Sequence, residues 1–235
     1  MSPILLITRP IAQGEDFAEA VRAALPEADW PDFLLSPLMD IVPVEGARAD
    51  GDVAGVIFTS QNAVEAALGM DLPAGLPAFC VGQKTAAAAR EAGFEAKRGP
   101  GDAARLVGQL LKERPAGPLL HIRGQHSRGD VTERLSAGGI EVAEVIAYDQ
   151  RARPLSEAAL AALSGNKPVV LPLFSPRTST IFQGSGPVRA PLHVVAISPA
   201  ARLSGVAMAS EIIAAAPEAR AMLDATLDRI RALTA

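Results

Sequence analysis

One arrangement recurs along this chain and decides its fold class: a short apolar run, a tight polar loop, then an alanine-rich helix. The clearest copy is Gly55 to Ala67, GVIFTSQNAVEAA. Val56, Ile57 and Phe58 form a continuous apolar run, the pattern of a parallel strand buried on both faces. Thr59, Ser60 and Asn62 are residue types that cap helix N-termini. Glu65 stands three positions after Asn62, as in a capping box, and the alanines that follow favour helix. A loop of this kind presents backbone N–H groups at the positive end of a helix and so receives anions.

The arrangement returns in AFCVGQKTAAAAR (78–90), LLHIRGQHSRGDVTERL (119–135), VVLPLFSPRTSTIF (169–182) and LHVVAISPAARL (192–203), and in the N-terminal PILLITRP with its following AQGEDFAEAVRAAL. Repetition of strand, loop and helix predicts doubly wound α/β architecture with ligand-contacting loops at the carboxyl ends of the strands. The spacing is irregular, so a solenoid is not indicated.

The helices carry the expected stripes. Phe17, Val21 and Leu25 recur every fourth residue in the first, Leu106, Leu110 and Leu111 line the one capped by Asp102, and Met222, Leu223, Leu227, Ile230 and Leu233 line the last, with Pro217 expected in its first turn. Two segments break the pattern. SPLMDIVPV (36–44) is apolar and extended between prolines, which disfavours helix and central strand, and EVAEVIAYDQ (141–150) is extended again. They read as a pair of antiparallel connectors leaving and re-entering one nested domain. The domains expected are residues 1–36 with 150–235, discontinuous, and residues 42–144, with connector strands at 37–41 and 145–149.

The 235 residues, 49% hydrophobic, suffice for a substantial core in one large domain or two small ones. The first apolar run is short and lacks a basic leader, and no stretch approaches the ~20 apolar residues of a membrane helix, so the expectation is a soluble cytoplasmic protein with no membrane partner. The single cysteine, Cys80, lies in an apolar run and reads as a packing residue. The three histidines, His121, His126 and His193, show no metal-ligand spacing, so no metal is assigned. A net charge of −4 argues against nucleic-acid binding but leaves a polyanionic small molecule open, provided local donors recognise it. Neither G-x-G-x-x-G nor G-x-x-x-x-G-K-[ST] occurs, which disfavours nucleotide chemistry.

Taken in order, the N-terminal ITRP, the connector SPLMDIVPV, GVIFTSQNAVEAA, CVGQKTAAAAREAGF, LLHIRG, the return strand ending VIAYDQ, LFSPRTSTIF and AISPAA resemble the uroporphyrinogen-III synthase family over nearly the whole chain. The resemblance implies two doubly wound, flavodoxin-like parallel-sheet domains joined by a two-stranded connector, with the active site in the cleft between them. It implies hydroxymethylbilane as substrate, uroporphyrinogen III as product and no cofactor. The reaction is a loss of water with inversion of ring D through an azafulvene and a spiro intermediate. The chain is expected to be a monomer, and the resemblance leaves room for transient contact with the preceding enzyme of the pathway.

The protein must then hold a flexible, many-carboxylate chain and assist departure of a hydroxyl group. The carboxylates are expected on Thr59, Ser60, Gln61 and Asn62, on Gly82, Gln83, Lys84 and Thr85, on Ser175, Pro176 and Arg177, and on Ser198, with Arg9 and Arg123 as further contacts. Structural readings stand beside these: Ser175-Pro176 and Ser198-Pro199 combine a cap with proline at the first helical position, Arg123 suits a surface ion pair, and Gly82 suits a tight turn. Tyr148, the only tyrosine, aligns with the family's connector tyrosine and is the candidate catalytic donor; its alternative is an amphipathic hinge anchor. At 200–201 two alanines stand where the family often has a threonine. The rival function is a noncatalytic two-domain clamshell for a small polycarboxylate or anion.

Overall fold

A computed structural model describes residues 2–126 and 130–234; residues 127–129, the loop of the 119–135 repeat, lie outside the described residues. The chain alternates as its apolar runs direct. Strand β1 (Ile4–Ile7) feeds α1 (Ile11–Ala24), and β2 (Asp32–Leu35) and β3 (Met39–Pro43) follow. Next come β4 (Gly55–Phe58), α2 (Gln61–Ala67), β5 (Pro77–Cys80), α3 (Gln83–Glu91), β6 (Glu95–Arg98) and α4 (Ala103–Glu113). Then β7 (Leu119–Gly124), α5 (Val131–Ala137) and the long β8 (Val142–Ala152) lead to α6 (Glu157–Ser164), β9 (Val169–Leu173), α7 (Pro176–Gln183), β10 (Leu192–Ala196), β11 (Ser210–Ile213) and α8 (Ala219–Thr234).

Two compact units result, Met1–Asp40 with Arg151–Ala235, and Ile41–Gln150. The first holds a parallel sheet in the order β11-β10-β9-β1-β2. Side chains alternate across each strand, so Leu6, Leu171 and Val194 pack under Ala159, Leu163 and Phe182, while Leu5, Ile7, Val170 and Val195 meet Phe17, Val21, Met222, Leu227 and Ile230. That two-sided burial is why these strands read as unbroken apolar runs.

The second unit is built on the sheet β3-β8-β7-β4-β5-β6. Val56 and Phe58 of β4 face Ala63, Val64 and Ala67 of α2 with Ala86 and Ala89 of α3, and Ile57 faces Leu106, Val107 and Leu110 of α4. At about 1.5–3 kcal/mol for each large side chain removed from water, the few buried polar groups of this sheet are outweighed by its two apolar faces. Strand β3, bracketed by Pro37 and Pro43, is an edge strand, as proline requires. It lies antiparallel to β8, with Val44 N–H donating to Ala147 O at 2.9 Å and Arg153 N–H to Leu38 O at 3.0 Å. Both strands carry the chain from one unit into the other.

Four details differ from the sequence reading. Asn62 is buried inside α2 and does not cap it; the cap is Ser60, the last extended residue, whose Oγ accepts from Ala63 N–H at 3.2 Å. The repeat at 192–203 ends in a three-residue 3₁₀ turn, Pro199–Ala201, because the chain is already extended at Arg202 and no further turn can propagate. Strand β11 has no counterpart in the sequence reading, being short and partly polar at the sheet's edge. Helix α8 begins at Ala219, so Pro217 lies in the bend before it.

Candidate functional site

In the second unit, parallel strands β8, β7, β4 and β5 lie side by side, so the residues at their carboxyl ends form one row. Tyr148 on β8, Gly124 at the end of β7, and Ser60 just after β4 are successive members. Ser60 stands two strand spacings from Tyr148, roughly 10 Å. A tyrosine side chain reaches that far only by lying across the strand between. It does so: Ser60 Oγ and the Tyr148 hydroxyl are 2.9 Å apart.

Gly124 makes the crossing feasible. A Cβ at this position would sit 2.6 Å from Cε2 and 2.7 Å from Cζ of the Tyr148 ring, closer than carbon atoms approach. Gly124 pairs with Tyr148 across the ladder where its register shifts, and Gln125 N–H donates to Tyr148 O at 2.9 Å. Tyr148 is only 5% exposed. Burial therefore raises its phenol above the usual pKa, while hydrogen bonds from Ser60 and the Gly124 backbone pull it part of the way back. The hydroxyl is a protonated donor throughout the neutral range.

Around this pair, Thr59 and Gln61 are half-buried. After β5, Gly82 caps α3 without any side chain, Gln83 and Lys84 are exposed or nearly so, and Thr85 is buried. Gly82 has φ −160°, ordinary extended backbone, so no tight turn demands glycine there.

Arg123 is engaged elsewhere. Its Nη2 donates to Glu144 Oε1 at 2.5 Å, and Thr132 Oγ1 donates to Glu144 Oε2 at 3.0 Å. With its proton given to Glu144, Thr132 Oγ1 accepts from His121 Nδ1, 3.2 Å away, which sets the tautomer. The ion pair raises Arg123 and lowers Glu144. His121 is pushed down to about 4, burial being the main cause, and its Nε2 is buried without a hydrogen-bond partner.

In the first unit, Arg9 follows β1 and stacks on Phe174, its guanidinium carbon 4.0 Å from the ring centroid. It donates from Nη2 to Gln13 Oε1 at 3.2 Å. Burial lowers the guanidinium to about 10, with the charge of Asp16 opposing that shift. Ser175 caps α7, accepting from Thr178 N–H at 3.1 Å and lying 2.8 Å from Thr178 Oγ1, with Pro176 at the first helical position. Arg177 and Ser198 are half-buried, and Ser198 makes no capping bond.

Two site residues escaped the sequence reading. Gly124 had a signal, a glycine closing the apolar run LLHIRG where a close approach is to be suspected; Phe174 had none beyond following its strand. Among the described residues no group of three or more His, Cys, Asp or Glu side chains is placed to hold a metal, and no helix is long and apolar enough to cross a membrane.

The family model described as Uroporphyrinogen-III synthase HemD matches residues 22–224. No curated protein matches the chain. Among solved structures, uroporphyrinogen-III synthetase from Helicobacter pylori aligns with a TM-score of 0.67 at 16% identity, over 97% of this chain and 100% of that one. A mutant uroporphyrinogen III synthase from the extremely thermophilic bacterium Thermus thermophilus aligns at 0.53 and 16% identity, over 100% and 99%. At such identities the likeness is one of fold.

Proposed function

The chain belongs to the uroporphyrinogen-III synthase family, hydro-lyases that close hydroxymethylbilane to uroporphyrinogen III in tetrapyrrole biosynthesis, and from that premise we propose which of its residues serve the reaction. Tyr148 donates a hydrogen bond to the departing hydroxyl group, which leaves as water with the proton that the adjacent pyrrole N–H gives up as the azafulvene forms. The single observation that carries this role is the position of its hydroxyl, drawn across Gly124 to the carboxyl edge of the sheet and kept protonated by burial. A phenol with an ordinary pKa of ~10 suits a donor that must hold its proton at neutral pH.

The carboxylates of the substrate fall to the strand-to-helix loops. Arg9 is the strongest side-chain candidate: a largely desolvated cation held against an aromatic ring and a neutral amide keeps its charge available for an incoming carboxylate. In the second unit the backbone of Thr59, Ser60, Gln61 and Asn62 and that of Gly82, Gln83, Lys84 and Thr85 supplies N–H donors, with the Lys84 ammonium exposed beside them. Ser175, Pro176, Arg177 and Ser198 complete the set. Arg123 acts through its ion pair with Glu144, fixing the end of β7.

The discontinuous domain of 1–36 with 150–235, the nested domain of 42–144 and the intervening connectors are our division for function. A single cysteine and an acidic balance suit a monomer working in a reducing cytoplasm. The noncatalytic clamshell is not favoured, since the family match spans most of the chain. The deciding experiment is incubation with freshly made hydroxymethylbilane and separation of isomers I and III. Isomer III should predominate, and Tyr148→Phe should lower kcat roughly a hundredfold while raising the share of spontaneously closed isomer I. Unchanged turnover and isomer ratio in Tyr148→Phe would remove Tyr148 from the mechanism.

A further inference from the structure

The Ser60 hydroxyl sits between two partners of different kinds. On one side it accepts the Ala63 N–H at 3.2 Å; on the other it meets the Tyr148 hydroxyl at 2.9 Å, a residue 88 positions away in sequence. Either hydroxyl of that pair can be the donor. A phenol is the stronger acid and an aliphatic hydroxyl the better acceptor, so with nothing else to bond, Tyr148 donates to Ser60. A phenol proton directed at Ser60 is not directed at substrate.

The geometry allows that commitment to be undone without moving a heavy atom. A serine hydroxyl rotates about a single bond, and the Ala63 N–H occupies only one of its two lone pairs. When a departing oxygen competes for the phenol proton, Ser60 can turn and donate to the Tyr148 oxygen in its place. The phenol oxygen then accepts from Ser60 Oγ–H while its own proton is directed to the departing oxygen, and such a chain strengthens each of its members.

We propose that Ser60 is a positioning residue for the reaction: a reversible hydrogen-bond partner that holds the Tyr148 hydroxyl in place, then exchanges donor and acceptor roles so that Tyr148 can direct its proton to the leaving hydroxyl. This assigns the Ser60 side chain to Tyr148 and leaves carboxylate reception in that loop to the backbone. The inference rests on the reading of Tyr148 as the donor. Gly124 belongs to the same device, since the ring reaches Ser60 only across a residue without a side chain.

The test is a double-mutant cycle on kcat with hydroxymethylbilane, using Ser60→Ala, Tyr148→Phe and the double variant, with Ser60→Thr as the conservative control. We expect Ser60→Ala to lower kcat about tenfold, equivalent to one hydrogen bond between neutral groups, with KM within about twofold. Ser60→Thr should restore most of the loss, and Ser60→Ala should add little in the Tyr148→Phe background. A loss of the same size in that background means that Ser60 acts only as a helix cap or substrate contact, and overturns the proposal. So does a Ser60→Ala enzyme with normal kcat beside a slow Tyr148→Phe enzyme. A silent Tyr148→Phe substitution instead removes the donor reading, and the proposal with it.

If loss of the cap prevents Ser60→Ala from folding, Ser60→Asp keeps a capping oxygen but cannot donate. Its kcat should fall at least as far as expected for alanine, and a normal kcat overturns the proposal. Because Tyr148 is the only tyrosine, tyrosinate absorbance reports this phenol alone: its titration midpoint should rise in Ser60→Ala, and an unmoved midpoint counts against the contact.

Discussion

The loops after β4 and after β9 begin with the same local chemistry and end in different uses. Each follows a phenylalanine at the close of an apolar run, and each places a serine in extended backbone to cap the next helix through the N–H three residues on. In the first unit the Ser175 hydroxyl turns its remaining capacity to Thr178 Oγ1, one turn away, and Ser179 Oγ donates to Ala201 O at 2.7 Å, tying α7 to the following turn. In the second unit the Ser60 hydroxyl reaches a side chain two strands over. A cap whose spare valence closes on its own helix builds structure; one whose spare valence leaves the helix can serve chemistry.

The sharpest way to break this comparison is to block the crossing. Gly124→Ala would place a methyl group inside the Tyr148 ring, so the ring must move off Ser60. We expect a drop of more than about a hundredfold in kcat/KM and a destabilisation of about 1–3 kcal/mol from overpacking; normal activity would show that the ring position is immaterial. Next in size is the first unit's own contribution. Arg9→Gln should raise KM about tenfold or more, as expected for loss of a charge-assisted bond, with kcat and the isomer ratio little altered. A fall in kcat without a change in KM would mean that Arg9 does not serve as a carboxylate contact.

Acid acts on both units, since burial lowers His193 of the first as well as His121 of the second. His121 lies in the second unit, and its depression from 6.5 to about 4 means that the unfolded chain binds the extra proton between those pH values. Stability is therefore fully present above pH 6.5 and declines as pH falls towards 4, by about 3 kcal/mol at most. Chemical denaturation followed across that window should show the slope, and His121→Leu should reduce it to the part due to His193. The smallest effect is expected at Ser175→Ala: about 1 kcal/mol of lost capping, read as a lower melting temperature, and a KM raised no more than about threefold.

The strands were legible because burial on both faces writes them as continuous apolar runs, as in Val56–Phe58 and Val169–Leu173. The connector was legible from Pro37 and Pro43, which bar a segment from the middle of a sheet. Strand β11 was not, because SEII lies at an edge with its side chains half in water, and Ser198-Pro199 promised a helix that the extended chain at Arg202 cuts short. Asn62 looked like a cap as good as Ser60; only the point at which the backbone leaves the strand decides between them. The contact of Ser60 with Tyr148 depends on strand order, which no local periodicity encodes. Gly124 becomes meaningful only once the ring that covers it is known.

The chain's return through β8 also sets a schedule for biosynthesis. All of Ile41–Gln150 is synthesised before the second segment of the other unit. Strand β1, though made before the nested unit, lies between β2 and β9 and must wait for β9. The nested unit can therefore fold during translation, while the N-terminal strands stay without their sheet until the last third of the chain arrives.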